Sequence, residues 1–451
     1  MSILNHRSMA MLPFALLSLM PSVSAAQAED SRPGTGDASE AIDTVVVTGT
    51  QISIESALAE AAATPGGVDV IDMDDYLQRN VSNLADVLRY SPGVWAASAT
   101  GDDNVFISSR GSNLDAINYD MNGVKLMQDG LPVTTADGNN HNRVVDPLAA
   151  RYATVARGAN AMAFGASTLG GAINFETLTA RDLPGSSVSL NGGSFDLALV
   201  QISVTLFPLA ANVADPARDA GVFDEAFDGL VSVEAKNWDG FREHNEQQRL
   251  GLYANGGWQA SDDLALRGYL TWVSNDQELS GALSREQMDE DPNQAGAGAI
   301  SGNYQVNVDT LRLAGKLTWQ PGPNAQFEAG LSYEEQSLFH PIVDRVMVDF
   351  DGPGPMEPVE VFSLLIDTDQ HNLGGMLRYR RIAGDHEITL GANLGRTTVV
   401  GGNYRNLGGQ PNGLTTEVDN EATSLEAFLM DRWQFAERWT ATLALQGVRA
   451  E

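Results

Sequence analysis

From about residue 186 onward the chain repeats one pattern, segments of about ten residues in which apolar and polar side chains alternate. In "TLRLAGKLTWQ", Leu311, Leu313, Leu317 and Trp319 share one face, and Thr310, Arg312, Lys316 and Gln320 share the other. In "QFEAGLSYEE", Phe327, Ala329, Leu331 and Tyr333 oppose Gln326, Glu328, Ser332 and Glu334. "LALRGYLTW", "LVSVEAKNW", "HEITLGANL" and "WTATLALQG" divide in the same way. A period of two puts successive side chains on opposite faces of a strand, so this region reads as antiparallel sheet with one apolar and one polar face.

The connections alternate as well. "QASDD", "QPGPNA", "IAGDH" and "FAER" are short turns, whereas residues 276–303, 338–368 and 399–420 read as long loops. Trp258, Trp319, Tyr379, Trp433 and Trp439 lie on the apolar face beside the short turns. Short turns at one end, long loops at the other and an aromatic girdle are the pattern of a transmembrane β-barrel. Closure pairs backbone groups that lipid cannot hydrogen-bond. Glu234, Lys236, Arg267, Arg378 and Arg380 then line a lumen. The rival is a soluble exported β-rich adhesin or binding protein, whose sheet would wet one face only. Release by salt or carbonate washing, without detergent, would establish that rival.

The first 180 residues differ. Residues 1–28 read as a signal peptide: His6 and Arg7 precede the apolar run "MAMLPFALLSLM", and "AQA" at 26–28 supplies small residues for cleavage. That run is too short to span a bilayer as a helix. Residues 29–42 form a polar linker, and "DTVVVTGT" at 43–50 is a strand with no hairpin partner beside it. Residues 51–180 read as a compact α+β domain, with strands in "GVDVI" and "VKLM" and a helix in "SNLADVLRY" capped by Ser82. A net charge of −32 argues against nucleic acid as a partner. The lack of cysteine removes disulfides and thiolate metal sites. No catalytic motif or metal-ligand spacing stands out, and neither an enzyme nor a protein metal site is expected.

"ADVLRYSPGVW" (85–95), "ISSRG" (107–111), "MQDGLPV" (127–133) and "ARGANAMAFGASTLGGAINF" (156–175) resemble the plug motifs of the TonB-dependent outer-membrane receptors, in that family's order and at about its spacing. The plug looks most like those of ferric-siderophore and ferric-citrate receptors. The resemblance implies an α+β plug domain inside an antiparallel transmembrane β-barrel, a multi-pass monomer among outer-membrane lipids. It identifies Asp43, Thr44, Val45, Val46, Val47 and Thr48 as a TonB box. Such a box adds a strand to TonB of the TonB–ExbB–ExbD complex by β-augmentation. An ordinary first plug strand is the other reading. Arg110 and Arg157 match plug arginines that pair with barrel-wall glutamates, and a purely structural role is equally open for them.

By position against the family, ligand contact falls on "ASATGDD" (97–103) and "TTADGNNHNR" (134–143), with Asp137, Asn139, Asn140, His141 and Arg143 suited to an oxygen-rich, often anionic iron chelate. Phe339 and Tyr404 could add stacking. The expected function is energised uptake of a scarce nutrient, a ferric siderophore first, with cobalamin, a saccharide or another nutrient as the alternative. Iron would enter only as part of the transported chelate, with no resident cofactor. The linker leaves no room for a periplasmic signalling domain. "PLAANVADPARDAGVFDEA", after "ISVTLF", is a long connection at a short-turn end and has no physical account. About eleven strands can be counted, against about 22 in plugged transporters, so only about half of such a barrel and an in-frame continuation of roughly 250 to 350 residues are expected.

Overall fold

The computed structural model describes residues 53–64, 66–76, 79, 81–98, 105–112, 123–165, 170–183, 185–207, 226–350, 352 and 357–451. The signal peptide, the linker and the valine strand at 43–50 lie outside them, as do most of "ASATGDD" and residues 208–225 of the long connection.

The plug opens with α1 (Ile54–Ala63), whose N-cap Ser53 accepts from the Ser56 N–H at 3.2 Å. Its strands are β1 (Val68–Asp72), β2 (Val94–Ser98), β3 (Val105–Ser109), β4 (Val124–Gln128), β5 (Leu131–Pro132), β6 (Ala150–Ala156) and β7 (Gly171–Thr177). "GVDVI" and "VKLM" thus form strands as expected. The helix in "SNLADVLRY" is shorter than its sequence suggests, α2 spanning Leu84–Leu88 with Asn83 as the cap instead of Ser82. Ser82 sits one position too early and turns its N–H and hydroxyl to Asp86 at 2.9 and 3.1 Å. Five strands form one sheet in the order β1-β6-β7-β4-β5, and β2 pairs with β3 separately. Leu88, Ile107, Leu126, Ile173 and Phe175 are almost fully buried in the plug core. Each stabilises the plug by about 1.5–3 kcal/mol relative to exposure.

The wall is one antiparallel sheet of eleven strands among the described residues, ordered sequentially. It comprises β8 (Ser187–Gly192), β9 (Ala198–Phe207), β10 (Phe227–Trp238), β11 (Gln247–Ser261), β12 (Leu264–Gln277) and β13 (Asn307–Gly322). It continues with β14 (Ala325–Val348), β15 (Val359–Ala383), β16 (His386–Leu407), β17 (Gln410–Ala436) and β18 (Trp439–Ala450). The alternation works out as expected: Leu311 and Leu313 are 38% and 46% exposed on the outer face, while Thr310 and Arg312 are buried on the inner one. Phe227 stacks on Trp258 with centroids 5.9 Å apart, and Trp433 lies on His386 at 5.5 Å, giving the short-turn end its aromatic belt.

Two of the three expected long loops are corrected. Residues 338–348 and 359–368 continue β14 and β15, and residues 399–407 and 410–420 continue β16 and β17, so both regions are tall hairpins. Cross-strand hydrogen bonds there satisfy the backbone despite the polar composition. Residues 278–306 are a true loop, carrying α3 (Arg285–Glu290) and α4 (Ala297–Ser301). Arg242 pins it by donating to the carbonyls of Gly281 at 2.8 Å and Gln294 at 2.9 Å.

Candidate functional site

The plug loop of residues 134–146 rises from β5 and is folded by its own short side chains. Asp137 accepts from the Asn139 amide side chain at 3.0 Å, and the Thr135 N–H donates to the Asn139 carbonyl at 2.9 Å. This local bonding, with Gly138 at φ +91°, makes a tight tip. The five residues expected to touch ligand divide there. Asp137 and Asn139 lie at the tip and are partly exposed, whereas Asn140, His141 and Arg143 are buried.

The buried three face protein. Asn140 Nδ2 donates to the Val124 carbonyl at 2.8 Å. His141 Nδ1 lies 2.6 Å from Glu334 Oε1 on β14. Glu334 also accepts from Asn372 Nδ2 at 3.0 Å and from Arg312 Nη1 at 3.4 Å, and Arg312 Nη2 reaches the Pro132 carbonyl at 2.8 Å. The Arg143 carbonyl accepts from Arg249 at 2.9 Å, and Arg249 pairs with Glu234 at 3.2 Å. His141 and the Arg143 carbonyl thereby seat the loop on the wall, while Asn140 ties it to β4.

Of the two roles open for Arg110 and Arg157, the described residues give Arg157 a partner inside the plug. Arg157 pairs with Asp69 on β1, inside the plug, and its Nη2 reaches Ser91 Oγ at 3.4 Å. Arg110, at φ +52°, stands beside it around Gly67. Contacts with the wall come from other residues, among them Arg378, which the sequence placed on the lumen side. Lys125, in the middle of β4, pairs with Glu426 on β17, and Asn393 Nδ2 donates to the same carboxylate oxygen at 2.8 Å. Burial draws the Lys125 ammonium below its ordinary range, and the adjacent Glu426 offsets part of that. A lysine inside the apolar "VKLM" was the available signal, because a buried ammonium needs a partner. Arg378 Nη2 donates to the Phe164 carbonyl and Gln446 Nε2 to the Gly165 carbonyl, at 2.9 and 3.0 Å.

A second polar region lies in the seam between plug and wall, a cavity of about 440 Å³ lined by Asp129, Glu176, Arg181, Asp228, Lys316 and Glu328 among others. Arg181 crosses it to Asp228 at 2.8 Å. Burial, and then the neighbouring Asp129 carboxylate, push Glu176 up to about 8. An acid raised by folding stabilises the fold fully below the ordinary glutamate range and loses that contribution as pH rises through about 8. Thermal stability is therefore expected to fall between about pH 5 and about pH 9, and Glu176→Gln, neutral throughout, to flatten the fall. Superimposable pH profiles of variant and wild type would exclude this origin.

A plug seated in the lumen of a lipid-facing antiparallel sheet defines an outer-membrane protein of the plugged-barrel class. Residues 60–172 match the family model of the TonB-dependent Receptor Plug Domain. Its plug is therefore of the TonB-dependent receptor type. The chain is 26% identical over 304 residues to the hemin receptor of Yersinia enterocolitica, covering 66% of this chain and 39% of that protein. It is 24% identical over 269 residues to the ferrichrome outer membrane transporter/phage receptor of Escherichia coli (strain K12), covering 54% of this chain and 33% of that protein. Among solved structures, unliganded ferric citrate transporter FecA superposes with a TM-score of 0.67 at 16% identity, over 87% of this chain and 57% of that one. FpvA of P. aeruginosa gives 0.61 at 16% identity, over 86% and 52%. At such identity these structures speak for the fold. The chain spans about two fifths of the hemin receptor's length and somewhat over half of FecA's.

Proposed function

We propose that this chain carries the plug and the first part of the wall of a receptor that takes up a ferric chelate across the outer membrane, driven by TonB. The observation that carries the reading is the plug itself, a domain of the TonB-dependent type seated across the lumen by buried side chains. A blocked lumen needs an external source of work before a solute passes. The valine strand Asp43–Thr48 is the segment on which TonB would act, by adding its own strand through main-chain hydrogen bonds. Named relatives that bind hemin and ferrichrome favour an iron-bearing ligand, a siderophore or hemin, with the iron as cargo. Asp137 and Asn139, at the partly exposed tip, are the plug residues set to meet it.

Proline at position 46 removes a backbone donor and restricts φ, so it disrupts an added strand without touching the apex. In cells carrying the intact gene, Val46→Pro should abolish uptake of its iron source while leaving surface binding at the wild-type level. Uptake and binding are measured on the same cells with hemin and with ferrichrome. Wild-type uptake by the variant would refute the TonB-box assignment.

A further inference from the structure

The two cationic candidates of the apex loop, His141 and Arg143, are turned inward and buried. An acid and an amide, Asp137 and Asn139, remain at the tip. An anionic solute arriving there meets a like charge, which opposes binding. The wall beside the tip offers uncharged groups as well. Arg249 on β11 reaches the Arg143 carbonyl of the apex loop, which fixes that face of β11 as the lumen face. At the next inward position toward the long-loop end stands Gln247, and Gln277 of β12 is its Cα partner. Gln247 Nε2 donates to Asn275 Oδ1 at 2.7 Å. Gln247 Oε1, both side-chain polar atoms of Gln277 and both of Asn245 are buried and meet no protein partner. These three residues are at most 2% exposed. A polar atom buried without a bond costs folding free energy, so a group of them in one place calls for an occupant that bonds them. The ionic groups closest in the chain are already engaged, His244 with Glu278 at 3.3 Å and Arg249 with Glu234 at 3.2 Å. The loops at this end, residues 239–246 and 278–306, hold to each other by polar bonds. Arg242 donates to the Gly281 and Gln294 carbonyls, and the Glu243 N–H donates to the Asn293 carbonyl at 2.7 Å. α3 buries none of its residues, so little apolar contact resists the lifting of this roof.

We propose that Asn245, Gln247 and Gln277 form the wall's share of the ligand site, and that the ligand they take is an uncharged iron chelate rich in amide or hydroxyl groups. This rests on the uptake reading above and narrows it. A carboxamide offers an N–H donor and a carbonyl acceptor side by side. An anion can use only the donors and a cation only the oxygens, and either would leave buried atoms unbonded. An amide or a hydroxyl answers both. The ligand reaches the three side chains when the roof of residues 239–246 and 278–306 lifts, and Asp137 at the tip meets no like charge on it.

The intact receptor is purified and titrated with ferrichrome, an uncharged hydroxamate peptide, and with hemin and ferric citrate, which carry carboxylates. Wild type should bind ferrichrome at least tenfold more tightly than either carboxylate-bearing compound, with an affinity that added salt leaves unchanged. Gln277→Met and Asn245→Leu keep the side-chain shape and remove unbonded amides. Each should weaken ferrichrome at least tenfold and leave the unfolding midpoint of the ligand-free receptor at or above the wild-type value. A midpoint lowered in both variants, or ferrichrome affinity retained by both, would make the amides part of the wall's own bonding. Tighter binding of hemin or ferric citrate than of ferrichrome would make the ligand anionic. Any of these results overturns the inference while energised uptake of an iron chelate stands. A receptor that binds none of the three, in cells that take up none of them, loses the uptake reading and the inference with it.

Discussion

Glu334→Ala is expected to destabilise the plug–wall assembly by about 3–5 kcal/mol, the range for removing one partner of a buried ionic group. Glu334 is 1% exposed and receives His141, Arg312 and Asn372 at once. Alanine would leave the Arg312 guanidinium buried without its carboxylate, still tied to the Pro132 carbonyl. Heat-modified mobility of the purified receptor should show a lower unfolding midpoint, and protease should reach the apex loop in isolated outer membranes. Glu334→Gln keeps an acceptor and should fall between. An alanine variant that melts with the wild type would show that this node bears no load.

Gly171→Val should be as damaging, at about 3 kcal/mol or more from backbone strain and overpacking together. Gly171 begins β7 at φ +109°, a conformation that β-branched residues avoid. A Cβ there would run into the Ala156 carbonyl and lie 2.9 Å from the Arg157 Cα, backbone that cannot swing aside as a side chain can. β7 pairs with both β4 and β6, so a shift at its first residue spreads through the plug sheet. Cells should lose uptake and become sensitive to antibiotics too large for an intact outer membrane, as an unseated plug leaves a pore. Gly138→Val, at φ +91° but with nothing within 4 Å, separates strain from collision and should cost less. Equal damage by the two would assign the effect to φ alone.

Much of the wall could be read from residue order, because a strand's two faces follow directly from a period of two. Leu311 and Arg312 went to opposite sides as their chemistry required, and the count of about eleven strands agrees with the sheet. The plug motifs pointed to the plug domain type that residues 60–172 match for a similar reason, since glycines and short turns leave local marks in sequence. Loop height was not legible. Polar residues such as those at 410–420 look like loop until a neighbouring strand supplies their hydrogen bonds, as β16 does.

At the candidate site the division falls between local and distant contacts. Sequence alone determined that Asp137, Asn139, Asn140, His141 and Arg143 belong to one polar loop of the plug. Only the tertiary structure decided that Asn140, His141 and Arg143 turn inward, that Glu334 receives His141 across 193 positions and that Glu426 receives Lys125 across 301. It also decided that Arg157 meets Asp69 inside the plug. Which carboxylate stands opposite a buried cation depends on how the plug sheet is rotated inside the wall. That rotation is set by the packing of many side chains together, and no short stretch of the chain encodes it.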